Sequence, residues 1–224
     1  MGRYEPKSEY FIYECDELDR NFLAFHPFVS LITGVGYDHH EIFPSQADYN
    51  QAFEQFINQS ESTILWSEDA KKLSITAANA DALEILPESE PWIESIKLLG
   101  LYNRRDAFLV AKAVHKLTKK PLNKLLSMLG DFPGVSRRFE RITENLYSDY
   151  AHTPEKISGV MSVALEYLKP KQKLIVVYEP LTNRRMHYMK HLHKDVFNGA
   201  HKIYWVPSYL AREDPNQKIL EPKE

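Results

Sequence analysis

Four short stretches concentrate the residue types that do chemistry. The first is Glu14, Asp16 and Glu17. The second is Asp38, His39, His40 and Glu41. The third is Asp149 with His152, inside "SDYAHTPEKI", and the fourth runs from Glu179 to Arg185. Hard cations such as magnesium take carboxylate oxygens, and need only one or two protein ligands when phosphates supply the rest. The first two clusters suit such an ion. The arginines Arg137, Arg138, Arg184 and Arg185 suit phosphate or carboxylate. Each signal has a plainer reading. Acids after a strand are most often a solvated turn, and an Arg-Arg pair is usually a surface pair. "DHHE" is a poor zinc site, because adjacent histidines point in different directions and the chain has a single cysteine.

The elements that must position these residues alternate. Strands are expected in "EYFIYECDE", "FVSLITGVG", "STILWSED", "RITENLYS", "QKLIVVYEP" and "KIYWVPSY". Helical spacing marks "QADYNQAFEQFINQS", "RRDAFLVAKAVHKL", "LNKLLSMLGDFPG", "SGVMSVALEYL" and "MHYMKHLHKDVFNGA", the last with Gly199 near its end. Tyr102 and Asn103 read as a helix start, with Asn103 as a possible N-cap. Residues 74 to 97 are ambiguous, since Pro87 and Pro91 break any long element. Strands alternating with helices predict a parallel α/β architecture, in which ligands bind at the carboxyl ends of the strands. All four polar clusters fall at such ends. "GDFPGVS" is the best domain boundary, dividing 1–131 from 132–224.

Composition bounds the rest. The 224 residues suffice for one or two domains. With 43% hydrophobic and 26% charged residues, the class is soluble globular. A net charge of -3 gives no basic surplus for nucleic acid. Cys15 alone excludes an intramolecular disulfide and fits a reducing compartment. No apolar run is long enough to span a bilayer, and no signal-peptide core is present. From the residues alone, the chain is an α/β protein with a phosphate–metal site and no named reaction.

Six motifs, in order, resemble the Mur ligases, the ATP-dependent amide-forming enzymes of peptidoglycan synthesis. "ECDELDRNFLAFHP" is similar to the family's E-A-D-E-x-D-x-S-F-L, and "TGVGYDHHEIF" to T-N-x-x-x-D-H. "GLYNRRDA" resembles G-x-H-N-x-x-N-A, and "GVSRRFE" resembles G-x-x-R-R-F-E. "DYAHTPEKI" is similar to D-Y-x-H-H-P-x-E-I, and "YLARE" to a late Y-x-A-x-E. The resemblance implies an incomplete central nucleotide-binding α/β domain over 1–131. A smaller, largely parallel C-terminal α/β domain follows over 132–224. It also implies roles. Glu14 and His39 hold Mg2+, Asn103 contacts the adenine of ATP, and Arg138 faces ATP. Asp149 meets the nucleotide as the domains close, and His152 lines the reaction centre. Apart from the resemblance, the carboxylate of the incoming amine donor needs a cationic partner, and Arg184 or Arg185, beside Asn183, is expected to hold it. The implied substrates are UDP-N-acetylmuramate and L-alanine, joined in the cytoplasm through an acyl phosphate.

The chain departs from the family at Gly34, Tyr102 and Asp106, where the motifs carry asparagine, histidine and asparagine. Phe53 stands where several relatives carry a carbamylated lysine, which favours the alanine-adding branch or its close relative, the recycling branch. "EPLTN" and "DHHEIF" resemble that recycling branch, which attaches a whole tripeptide. A third reading is a non-catalytic fragment that binds a nucleotide or partner. The family's P-loop is not visible: none of the 8 glycines is followed by lysine. A partner segment carrying that loop is therefore expected, and the chain alone is expected to be inactive, with no nucleic acid or membrane among its partners.

Overall fold

The computed structural model describes residues 5–75, 82–208 and 213–222. By its internal contacts the chain divides into two compact units, Met1–Glu90 and Pro91–Glu224. This division falls before helix α3 below, whereas the sequence places its boundary at 131/132, after α4.

In the first unit, β1 (Ser30–Ile32), β2 (Thr63–Trp66) and β3 (Leu83–Leu86) form a parallel sheet in the order β1-β2-β3. Helix α1 (Gln46–Asn58) links the first two strands. Its Ser45 cap accepts a hydrogen bond from the Asp48 amide, satisfying one of the donors that every helix start leaves open. Tyr49, Phe53 and Phe56 recur at helical spacing and are buried against Phe22 and Phe43. Each such ring contributes about 1.5–3 kcal/mol of burial free energy. Helix α2 (Ser67–Lys72) follows β2 directly.

The strand expected at Tyr10–Tyr13 does not form. That stretch belongs to no helix or strand, with Ile12 93% exposed. Its residues have strand propensity, but a strand also needs a neighbour for its backbone groups, and no described strand lies beside it.

In the second unit, helices α3 (Leu101–Thr118) and α4 (Leu122–Leu129) precede a hairpin of β4 (Glu140–Thr143) and β5 (Leu146–Ser148). "RITENLYS" is thus two antiparallel strands rather than one. Asn145 turns the chain with φ 60°, a left-handed conformation that asparagine tolerates. Helix α5 (Pro154–Tyr167) has Thr153 as its cap and proline in its first turn. Strands β6 (Ile175–Tyr178) and β7 (Lys202–Trp205) pair in parallel, as the alternating pattern predicts. Ile157, Met161, Tyr178 and Val196 form the core between β6 and α5. Burial pushes the Tyr178 hydroxyl up to about 12.

Helix α6 spans Asn183–Met189, followed by a 3-10 turn at Lys190–Leu192. It begins earlier and ends sooner than the spacing of "MHYMKHLHKDVFNGA" predicts. Thr182 starts it, accepting from the Arg185 amide. Gly199 lies beyond it in a separate turn, at φ 93°. Among the described residues no helix is long and apolar enough to cross a membrane.

Candidate functional site

The polar residues that follow β1 are held by a buried acid the sequence reading missed. Asp69 on α2 is 2% exposed. Its Oδ1 accepts hydrogen bonds from the Val35 amide at 3.0 Å and from Lys72 Nζ at 3.3 Å. Lys72 Nζ also donates to the Val35 carbonyl. The loop leaving β1 is therefore tied to α2 before it reaches Asp38. The signal for Asp69 was an acid in the first turn of a helix after an apolar strand, a pattern shared by many solvated turns.

At the end of that loop, His39 adopts a left-handed φ of 53° and its carbonyl accepts from the Ile42 and Phe43 amides. Its Nε2 lies 3.7 Å from Glu17 Oε1, and its Nδ1 lies 3.7 Å from Glu41 Oε1. Nδ1 is buried without a hydrogen-bond partner. Glu17 also accepts from the Tyr49 hydroxyl at 3.3 Å. The two acidic clusters thus meet, but through Glu17. Glu14 is exposed and makes none of these contacts. Among the described residues, no three His, Cys, Asp or Glu converge as a closed ligand set. The carboxylates of Glu17 and Glu41 on either side of His39 are the oxygen donors that a hard divalent ion takes when phosphate supplies the rest, and the imidazole between them is a softer, secondary ligand.

In the second unit, Arg138, Asp149 and His152 gather around one aromatic ring. The guanidinium carbons of Arg137 and Arg138 lie 4.6 and 5.8 Å from the centroid of Tyr150. His152 packs edge-on to the same ring at 4.9 Å. Asp149 fixes the arrangement. Its Oδ2 accepts from the Phe139 amide and its Oδ1 from the Ala151 amide, each at 2.7 Å. The Tyr150 amide donates to the Arg137 carbonyl at 2.9 Å. Arg137 and Phe139 have φ values of 59° and 47°. Left-handed backbone is costly for such side chains and persists only where its surroundings enforce it. Here the Asp149 carboxylate and the Glu140 carboxylate, which accepts from the Arg137 amide and the Ser136 hydroxyl, supply that enforcement. Those two bonds also hold the Glu140 carboxyl below its ordinary value.

The geometry fixes the histidine's tautomer. Nδ1 of His152 is 2.8 Å from the Tyr150 carbonyl, which can only accept, so Nδ1 carries the proton. Nε2 then presents a lone pair, 3.5 Å from the Lys156 ammonium. A proton acceptor stands beside cationic groups, an arrangement suited to handling anionic substrates.

Asn103 is not the cap of α3. Gly100 holds that position, and Asn103 sits in the first turn with its Nδ2 donating to the Leu99 carbonyl at 2.7 Å. Its neighbour Tyr102 is half exposed.

Around α6 the three expected substrate residues separate. Asn183 is 0% exposed. Its Nδ2 donates to the Lys218 carbonyl at 3.1 Å, and its Oδ1 accepts from the Leu220 amide. It holds the segment 217–220 and faces no open space. The Arg185 amide is engaged by Thr182. Arg184 lines a cavity of about 440 Å³ with His187, Tyr188, Glu213, Asp214 and Gln217, and its amide donates to Glu213 Oε2. Of the "YLARE" motif, residues 209–212 lie outside the described residues.

No protein-family model matches the chain. Curated proteins do. It is 26% identical to a UDP-N-acetylmuramate–L-alanine ligase of Lactobacillus helveticus, over 97% of this chain and 56% of that protein. It is 28% identical to the protein of that name from Streptococcus suis, over 97% of this chain and 55% of that one. The chain therefore spans about half the length of the curated relatives it matches. Among solved structures, a UDP-N-acetylmuramate-alanine ligase from Thermotoga maritima superposes with a TM-score of 0.62 at 21% identity, covering 87% of this chain and 54% of that one. The apo form of L. casei FPGS superposes with a TM-score of 0.55 at 16% identity, covering 88% of this chain. Those two likenesses concern the fold. The resemblance to the Mur ligases thus extends from six motifs to nearly the whole chain.

Proposed function

We propose that this chain is part of an ATP- and Mg2+-dependent ligase that joins L-alanine to UDP-N-acetylmuramate in the cytoplasm, in peptidoglycan synthesis. The observation that carries the reading is the match to L-alanine ligases over 97% of the chain. The Arg138–Asp149–His152 cluster supports it, because it combines fixed cationic groups with a proton acceptor. In the terms of that ligase, residues 1–131 are the central domain and 132–224 the C-terminal domain.

ATP supplies the phosphoryl group that converts the substrate carboxylate to an acyl phosphate, and Mg2+ neutralises its charge. Arg138 offsets the negative charge that develops, held in place before the reaction begins. Asp149 shapes the loop that presents Arg138, and meets the nucleotide on closure. His152 Nε2 takes up the proton released when the amine attacks the acyl phosphate carbon and inorganic phosphate leaves. His39, with Glu14 or the nearer Glu17, holds the metal, and Asn103 contacts the adenine. Arg184, which lines the cavity, or Arg185 holds the donor's carboxylate, and buried Asn183 acts through the tail it holds. The phosphate-binding loop is supplied by a segment outside these 224 residues, covalently joined or in trans.

The test is a competition. The chain, joined to a phosphate-loop segment, is offered L-alanine and the tripeptide with UDP-N-acetylmuramate and ATP. Incorporation of L-alanine is expected. Exclusive use of the tripeptide would move the protein to the recycling branch, and no product with either donor would favour a binding role.

A further inference from the structure

Helix α5 carries a second feature, one that the motifs leave unexplained. Its face at Gly159, Val163 and Glu166 receives the first turn of α3. A Cβ on Gly159 would lie 3.4 Å from the Tyr102 ring. One on Gly100 would lie 2.3 Å from Val163 Cγ2, so only glycine permits this approach, and its φ of 81° also suits glycine. Glu166 closes the contact with both oxygens. Oε2 accepts from the Gly100 amide at 3.0 Å, and Oε1 accepts from Arg104 Nη1 at 2.7 Å. Arg104 Nη1 also donates to the Leu98 carbonyl at 3.0 Å, which ties the chain entering α3 to the same pair. Arg104 falls at a position that G-x-H-N-x-x-N-A leaves free.

We infer that Glu166 and Arg104 are positioning residues: their ion pair, with the Gly100 amide, fixes the first turn of α3 on α5 and so sets the distance between Asn103 and the Asp149–His152 segment that leads into α5. Rigid elements run continuously between the two groups. Asp149 and His152 lie just before the Thr153 cap of α5, and Asn103 lies between Gly100 and Arg104, the two residues that Glu166 grips. One helix therefore carries the phosphate-facing groups at its start and grips the adenine-facing turn near its end. The proposed consequence is base selectivity, since Asn103 can read an adenine edge only if its turn is held. This inference rests on the nucleotide-site reading above.

The experiment measures ATP, GTP and inorganic triphosphate binding to the 224-residue chain with the phosphate-loop segment supplied, by NMR titration at millimolar ligand, for wild type, Glu166→Gln, Gly100→Ala and the charge exchange Arg104→Glu/Glu166→Arg. Amide exchange at Gly100 and Asn103 is followed in parallel. Glu166→Gln conserves size, and Gly100→Ala breaks the docking by a different route. Both should speed amide exchange in the α3 turn. Both should also lower the ATP-to-GTP affinity ratio by roughly three- to tenfold, the range of one neutral hydrogen bond. Triphosphate affinity should be unchanged, and the charge exchange should not recover the ratio, because a guanidinium in place of the Glu166 carboxylate cannot accept from the Gly100 amide and a carboxylate in place of Arg104 cannot donate to the Leu98 carbonyl. Faster amide exchange with an unaltered ratio would make the pair structural only, overturning the inference and leaving the nucleotide reading intact. A wild-type chain with no preference for ATP over GTP would overturn both.

Discussion

Asp149→Ala removes the acceptor of two backbone hydrogen bonds, from Phe139 and Ala151, both at 2.7 Å. Bonds to a charged group contribute about 1.5–3 kcal/mol each when buried. Asp149 is exposed, so water competes for both amides, and a total of about 1–2 kcal/mol is the reasonable sum. The loss is local, because it releases the strained 137–139 turn while leaving the core of α5 and β6 untouched. A local cost of that size corresponds to roughly 5- to 30-fold faster amide exchange. Exchange measured residue by residue should therefore accelerate at Phe139 and Ala151 and stay constant in β6. Asp149→Asn keeps one carbonyl acceptor and should show about half the effect in free energy. With the phosphate-loop segment supplied, Asp149→Ala should lower turnover while the protein stays folded. Unchanged exchange at both amides would refute the claim that Asp149 builds the loop. Unchanged turnover would confine it to a structural role.

Three further outcomes follow from the contacts. Asp69→Ala leaves the buried Val35 amide without an acceptor and should destabilise the first unit by about 1–3 kcal/mol, read by urea unfolding. Asn183→Ala should free the segment 217–220, making the C-terminal tail a site of limited proteolysis under conditions where wild type resists. Arg104, and then the Gly100 amide, hold the Glu166 carboxyl below its ordinary value of 4.5. A depressed folded value means stability that is present above the unfolded value and lost as pH falls through the folded one. The stability gap between wild type and Glu166→Gln should therefore be constant above about pH 5 and close below that range.

The sequence made the fold legible where apolar spacing was strong. Apolar residues at helical spacing marked α1 and α5, and short β-branched runs marked β2 and β6; the Ser45 and Thr153 caps emerge only from the structure. It misled where a local signal needed a partner. Tyr10–Tyr13 has strand propensity without a neighbouring strand, and α6 begins at a Thr182 cap that the apolar spacing alone does not reveal. Side-chain types located the clusters at 38–41 and 149–152 but not their wiring. That Glu17 rather than Glu14 meets His39, and that Asn183 is buried by the tail, depends on contacts between residues far apart in the chain. Asp69 and Glu166 were invisible for the same reason, since each works through backbone amides more than thirty residues away.

The most direct test of the central claim is magnesium-dependent phosphate release from ATP, with UDP-N-acetylmuramate and L-alanine, by the 224-residue chain alone and with a phosphate-loop segment added in trans. The account predicts no release from the chain alone, and release in step with amide formation once the segment is present, reduced by Asp149→Ala. Robust release by the isolated chain would show that its site is already complete. No release in the presence of a folded, bound segment would contradict the ligase reading itself.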